Sequence, residues 1–245
     1  MDYRIMSKKE KIGGRAYSNG VRLMNKNLSV KAYYDQDNNL RYDIKKVKVN
    51  KVFKLFKRIP VLRGIISLIL AIGMFLKEGV NKPKKYWPIL FIILADIIYI
   101  YFSGNGGTSG QLITGLYFSL PVILIILFRK KIIEILKYHG AEHKVVHYYE
   151  NDRQGDINDY SRLHRRCGSN IVFYYLLISL VPGLINFNIN YYLLQLIFLG
   201  LAYEAIRYTP EKLLFLPQLF QRIVTREPDQ KHIRAAETAL DLLTE

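Results

Sequence analysis

Cysteine is almost missing from this chain of 245 residues. Cys167 stands alone, so no intrachain disulfide can form. A lone thiol fits a reducing compartment or a single functional sulfur. Acids are scarce as well, 20 against 36 Lys and Arg, for a net charge of +16. No GxGxxG or GxxxxGK[ST] loop occurs, so a phosphate cradle of that kind is not indicated. HExxH is missing too, which removes the zincin signature. There is no internal repeat and no low-complexity tract. Residues 1–59 hold no apolar run after their basic residues, so no cleavable leader is expected.

Apolar residues are plentiful. Half the chain is hydrophobic and the mean hydropathy is +0.04, although 23% of residues are charged. The apolar residues gather in five stretches, at 61–76, 88–102, 112–128, 171–185 and 191–206. Each approaches the ~20 residues that cross a bilayer. Charge follows the same division. Residues 1–59 carry 16 basic side chains against 5 acids, while SGNGGTSGQ (103–111) and NFNIN (186–190) carry no charge. Basic loops stay on the cytoplasmic side, so this distribution accounts for the charge without nucleic acid.

The pattern predicts a mainly α-helical integral membrane protein. It has four spanning helices plus one re-entrant or interfacial segment, 61–76, whose flanks are basic at both ends. A small β-rich region precedes them, because SVKAYY and LRYDIKKVKV alternate around the turn DQDNN. The domains expected are 1–59, basic and β-rich; 60–128, the embedded segment and two spans; 129–170, a cytoplasmic His/Cys region; 171–206, two more spans; and 207–245, cytoplasmic amphipathic helices. Ile233, Ala236, Leu240 and Leu243 form a stripe at helical spacing in the last of these. The location expected is the bacterial cell membrane, multi-pass, with both termini cytoplasmic.

Four of the five histidines and the cysteine fall in HGAEHKVVHYYE (139–150) and HRRCGSN (164–170). A helix running through Gly140 stacks His139, His143 and His147 on one face. A helix that stops near His139 leaves VVHYYE free to form a strand, with His143 and His147 on one side. Imidazole, thiolate and carboxylate are the usual ligands of zinc. His143, His164 and Cys167 make a three-ligand set with an open fourth position, and His139 is a reserve ligand. Glu142 and Glu150 are the alternative candidates for general base to a bound water. A Cys–His pair can also be a nucleophile with its base. Glu204, near the cytoplasmic end of 191–206, is a second candidate catalytic acid, and Asp96 lies within 88–102.

GGRAYSNGVRL, PVLRG at 60–64, HGAEHKVVHYYE, HRRCGSN, LAYEAIR at 201–207 and LPQLFQRIVTREPDQ at 216–230 together resemble the YqhQ-like family. Its members are bacterial multi-span membrane proteins described as metal-dependent enzymes of unassigned reaction. The resemblance implies that Glu142, His143, His164, Cys167, Arg63 and Glu204 occupy family positions. Arg15 stands where the family usually has Gln, and Ser18-Asn19 lie near its usual Glu. Ser169-Asn170 also depart from the usual ending of the HxRCG block.

The function expected is a cytoplasmic-face metal site, with zinc as its ion, serving a hydrolase. The alternative is a scaffold or regulator that binds another membrane protein. A transporter rests only on Asp96 and Glu204 and lacks paired repeats. The bilayer itself is the expected partner.

Overall fold

The structure, a computed structural model, describes residues 10–47, 59–81, 119–180 and 190–245, with scattered positions between 83 and 99. The chain divides into two compact units, one of residues 1–66 and 133–245, the other of 67–132.

In the larger unit, four strands pair in chain order as an antiparallel meander. They are β1 (Gly13–Tyr17), β2 (Gly20–Met24), β3 (Leu28–Tyr34) and β4 (Leu40–Lys46). Side chains close the last two turns. Asn25 Oδ1 accepts from the amides of Asn27 and Leu28, and Asp35 Oδ1 accepts from those of Asp37 and Asn39. The hairpin expected around DQDNN is β3–β4.

Alternation then decides what the sheet buries. Val21 and Leu23 on β2 and Val30 and Ala32 on β3 point to one face. The C-terminal helix Gln230–Thr244 covers that face with Ile233, Ala236, Leu240 and Leu243, the stripe read from its spacing. Tyr138, Ala141 and Val145 of the helix Arg129–Glu150 join the same core.

Among the described residues the helices include, in chain order, α1 (Leu62–Asn81), α2 (Arg129–Glu150), α3 (Gly168–Ser179), α4 (Tyr191–Tyr208), α5 (Phe215–Val224) and α6 (Gln230–Thr244). α3 packs against both α4 and α5. The start of α1 is locked to α4 within the larger unit. A Cβ on Gly64 would lie 2.7 Å from the Tyr203 Cβ, and one on Gly200 would lie 2.5 Å from the Val61 side chain. Val61 has φ of 64°, a region a β-branched residue rarely enters, and its amide donates to Glu204 Oε1 at 3.2 Å. In the smaller unit Trp87 meets Phe128 edge to face, with ring centroids 5.8 Å apart.

The arrangement of four spanning helices is not what forms. Among the described residues one helix is long and apolar enough to cross a membrane, and it is α1. That stretch was expected to be re-entrant or interfacial; it is a continuous helix of 20 residues. The described part of the apolar run 171–185 lies in α3, whose 12 residues rise about 18 Å, less than a ~30 Å hydrocarbon layer. α4 carries a buried stripe, Leu194, Phe198, Ala202 and Ile206, spaced four apart for packing within the protein. Asp96, the loop 103–111 and most of 88–102 and 112–118 lie outside the described residues.

Candidate metal centre

α2 does not stop at His139. It runs unbroken through Gly140, and so places His139, His143 and His147 on successive turns. The glycine is there because another segment crosses it. A Cβ at Gly140 would lie 2.1 Å from the carbonyl oxygen of Arg226, and the Arg226 amide donates to the Leu136 carbonyl at 3.0 Å. That crossing brings the end of α5 onto the histidine face.

Two imidazoles are oriented by backbone carbonyls. His139 Nδ1 donates to Val224 O at 2.9 Å, and His143 Nδ1 donates to Arg162 O at 2.6 Å. Gln221 Nε2 lies 3.3 Å from the same His143 nitrogen. A carbonyl can only accept, so the Arg162 contact puts the proton on Nδ1. In each ring the Nε2 lone pair is left over. His139 Nε2 lies 3.4 Å from Cys167 Sγ, and Cys167 hydrogen-bonds His143 as well. The ligand atoms of His139, His143 and Cys167 all fall within 4.8 Å of one another. Histidine metal ligands are usually held in this way, with the far N–H tied to a carbonyl or carboxylate.

Cys167 is the N-cap of α3 and is buried. Burial would raise its thiol pKa. Hydrogen bonding and charge from His143, with help from Ser169, outweigh that and bring it below the ordinary thiol range. His143 is itself held below the ordinary imidazole range by burial, although Cys167 pulls the other way. The turn bearing the cysteine is tied down by Asn170, whose Nδ2 donates to the carbonyls of His164 and Arg165.

Glu142 is 7% exposed, and its carboxylate has no hydrogen-bond partner among the described residues. Burial raises it to about 7, against the attraction of His139. β1 runs over it so closely that a Cβ on Gly14 would lie 2.5 Å from Glu142 Oε1. A cavity of about 800 Å³ opens there, lined by β1, the α2 histidine face, Arg166 to Ser169 and Tyr203.

His164 takes a different place. Its ring is 5.7 Å from that of His143, but its Nε2 donates to Glu150 Oε2 at 3.2 Å. Its Nδ1 accepts from the Arg166 amide at 3.2 Å. Arg166 also pairs with Glu150, and His147 Nε2 donates to Leu163 O at 2.9 Å. The ligand atoms of His147, Glu150 and His164 also lie close together. Each of these groups already has a partner of its own, so the cluster is a His–carboxylate–Arg network beside the first, buried at His164 and open to the surface at Glu150 and Arg166. Glu204 is engaged elsewhere. It receives Arg63 Nε at 2.7 Å, a second contact from Arg63 Nη2, and the Val61 amide.

The structure thus brings His139, His143, Cys167 and Glu142 together, sets His164 one step aside, and joins Glu204 to Arg63. Sequence reasoning did not reach Gly14, Gln221 or the carbonyls of Arg162 and Val224. The diglycine Gly13-Gly14 was visible, but not the carboxylate that the strand would close over. Gln221 is one of three polar residues on α5, with Gln218 and Arg222, and only the fold shows that it is the buried one.

No solved structure matches this chain. It is 25% identical over 287 residues to the uncharacterized protein YqhQ of Bacillus subtilis, a match covering 91% of this chain and 89% of that one. The family model described as "Protein of unknown function (DUF1385)" matches residues 20–245, and the chain belongs to that family.

Proposed function

We propose that this protein is a metal-dependent hydrolase, held at the cytoplasmic surface of the cell membrane, with zinc bound by His139, His143 and Cys167. The observation that carries the reading is the pair of imidazoles whose Nδ1–H groups are spent on carbonyls while their Nε2 lone pairs converge on one thiol. Two nitrogens and a sulfur leave a fourth position open, which is the pattern of catalytic rather than structural zinc. Zinc there supplies Lewis-acid activation of water at neutral pH.

The chain's own groups do the rest. His139 and His143 bind through Nε2, and Val224 and Arg162 keep their rings from turning. The unpartnered carboxylate of Glu142 faces the cavity and is free to accept a proton at Oε1. Arg166 stays bound to Glu150 and steadies the loop that bears Cys167. Support for the membrane location is α1, the one helix among the described residues that is long and apolar enough to cross a membrane, and the excess of basic residues.

Elemental analysis of the full chain purified without chelator tests the ligand set. About one zinc per chain is expected, lost in His139→Ala and Cys167→Ala but retained in His164→Ala. Zinc retained by His139→Ala and Cys167→Ala would overturn it.

A further inference from the structure

α3 and α5 serve the metal centre on one side. Cys167 caps α3, and the last turn of α5 offers the Val224 carbonyl to His139. Their other sides are bare hydrocarbon. On α5, Phe215, Leu216, Leu219 and Ile223 are 54%, 40%, 51% and 70% exposed. At 3.6 residues per turn these four lie opposite the buried Pro217 and Gln221. Val172 and Leu176 on α3 are about equally exposed. A helix so divided, with five large apolar residues open between 213 and 223, matches an interfacial membrane helix better than a solvated surface.

Charge selects the kind of membrane. Between 212 and 226 there is no acid, while Lys212, Arg222 and Arg226 are exposed cations. The cavity has the same bias. Lys11 and Arg15 line it beside Arg166, which is paired with Glu150, and Glu142 is the one acid among its described lining residues.

We infer that the α5 face rests on an anionic phospholipid bilayer and that the centre hydrolyses the phosphodiester head group of such a lipid. The inference rests on the hydrolase reading above. Water oxygen bonds to phosphorus and the bond from phosphorus to the head-group oxygen breaks. Glu142 relays a proton of the water to the departing alcohol. The products are a lipid phosphomonoester and a free alcohol. The apolar face sets the depth of the protein so that the cavity meets head groups rather than acyl chains.

The full chain carrying Trp87→Phe and Leu219→Trp, loaded with zinc, is mixed with phosphatidylglycerol or phosphatidylcholine vesicles whose acyl chains are brominated. The expected result is loss of indole emission, at lower lipid concentration with phosphatidylglycerol, together with release of glycerol that Glu142→Gln abolishes. Leu219→Asp is expected to lose glycerol release while keeping its zinc and its hydrolysis of bis(4-nitrophenyl) phosphate in solution. Unquenched emission overturns the docking whatever the activity. Quenching with turnover of the soluble ester, but no glycerol release, overturns the lipid substrate and leaves the hydrolase reading standing. Zinc-loaded protein that hydrolyses neither ester overturns both.

Discussion

Glu142 and Gly14 form a pair in which each explains the other. A carboxylate buried without a partner is costly, and one is kept mostly where chemistry uses it. Gly14 lets the β1 backbone close over that carboxylate, since any Cβ would collide with Oε1. If Glu142 is a base and not a ligand, Glu142→Gln keeps about one zinc per chain while turnover falls roughly 10²–10⁴-fold. Gly14→Ala also keeps the metal, and by displacing the carboxylate about 1 Å lowers turnover roughly 10²-fold. Metal content and hydrolytic rate, read on the same samples, separate the roles. Loss of zinc in Glu142→Gln would make the carboxylate a ligand.

At the scale of elements the decisive contact is the crossing of residues 222–228 over α2 at Gly140. An alanine there would improve the helix by about 1 kcal/mol in isolation. It would also place a methyl 2.1 Å from the Arg226 carbonyl, a backbone atom that cannot swing aside. Overpacking of that kind costs about 1–3 kcal/mol, and the clash therefore outweighs the gain. Relief requires the segment to lift, which breaks the bond from His139 Nδ1 to Val224 O. The expected outcome for Gly140→Ala is a zinc affinity about 10–100-fold weaker by chelator competition, with the helix content unchanged. Unchanged affinity would show that the carbonyl does not orient the ring. Much of this site was legible beforehand. The spacing His139, His143 and the placement of Cys167 before an apolar helix marked the donor atoms. The two carbonyls that orient the rings were not legible, because a backbone oxygen has no residue identity and only the fold decides which one arrives. His164 has the right chemistry for a ligand, and only geometry shows that Glu150 and the Arg166 amide hold its two nitrogens.

At the scale of the whole molecule, hydropathy misled where packing did not. An apolar run reports that water is avoided, and it does not distinguish a protein neighbour from other apolar surroundings. α4 shows this with Leu194, Phe198, Ala202 and Ile206 turned into the protein, while Leu193, Leu196 and Leu201 are exposed. The β3–β4 hairpin and α6 were legible because a period of 2 and a stripe at helical spacing each name a single buried face, whereas β1 and β2 were not read as strands. His232 joins those parts. It is fully buried at the start of α6, accepts from the Asp229 amide at Nδ1, donates to Glu134 on α2 through Nε2, and meets Tyr138 edge to face at 4.5 Å. Burial holds its pKa below the ordinary imidazole value, with Glu134 opposing. The folded protein therefore keeps His232 neutral where the unfolded chain takes up a proton near pH 6.5. Its contribution to stability is complete above that pH and is lost as pH falls through 6.5 towards the lower folded value. Glu134 and Asp229, held below the usual carboxylate range by Lys231, His232 and Lys137, act in the same direction, but only from about pH 4.5 downward. Between pH 7 and 5, denaturant titration of the full chain reads a slope that is the net of His232, His143 and His164, which make stability fall with pH, and of Glu142, which burial raises to about 7 and which opposes them. His232→Gln should remove about one proton from that slope, at most ~1.4 kcal/mol per pH unit. His164, held low by burial, keeps a share of the slope in the variant. A slope identical in wild type and His232→Gln would mean that His232 takes up its proton inside the folded core.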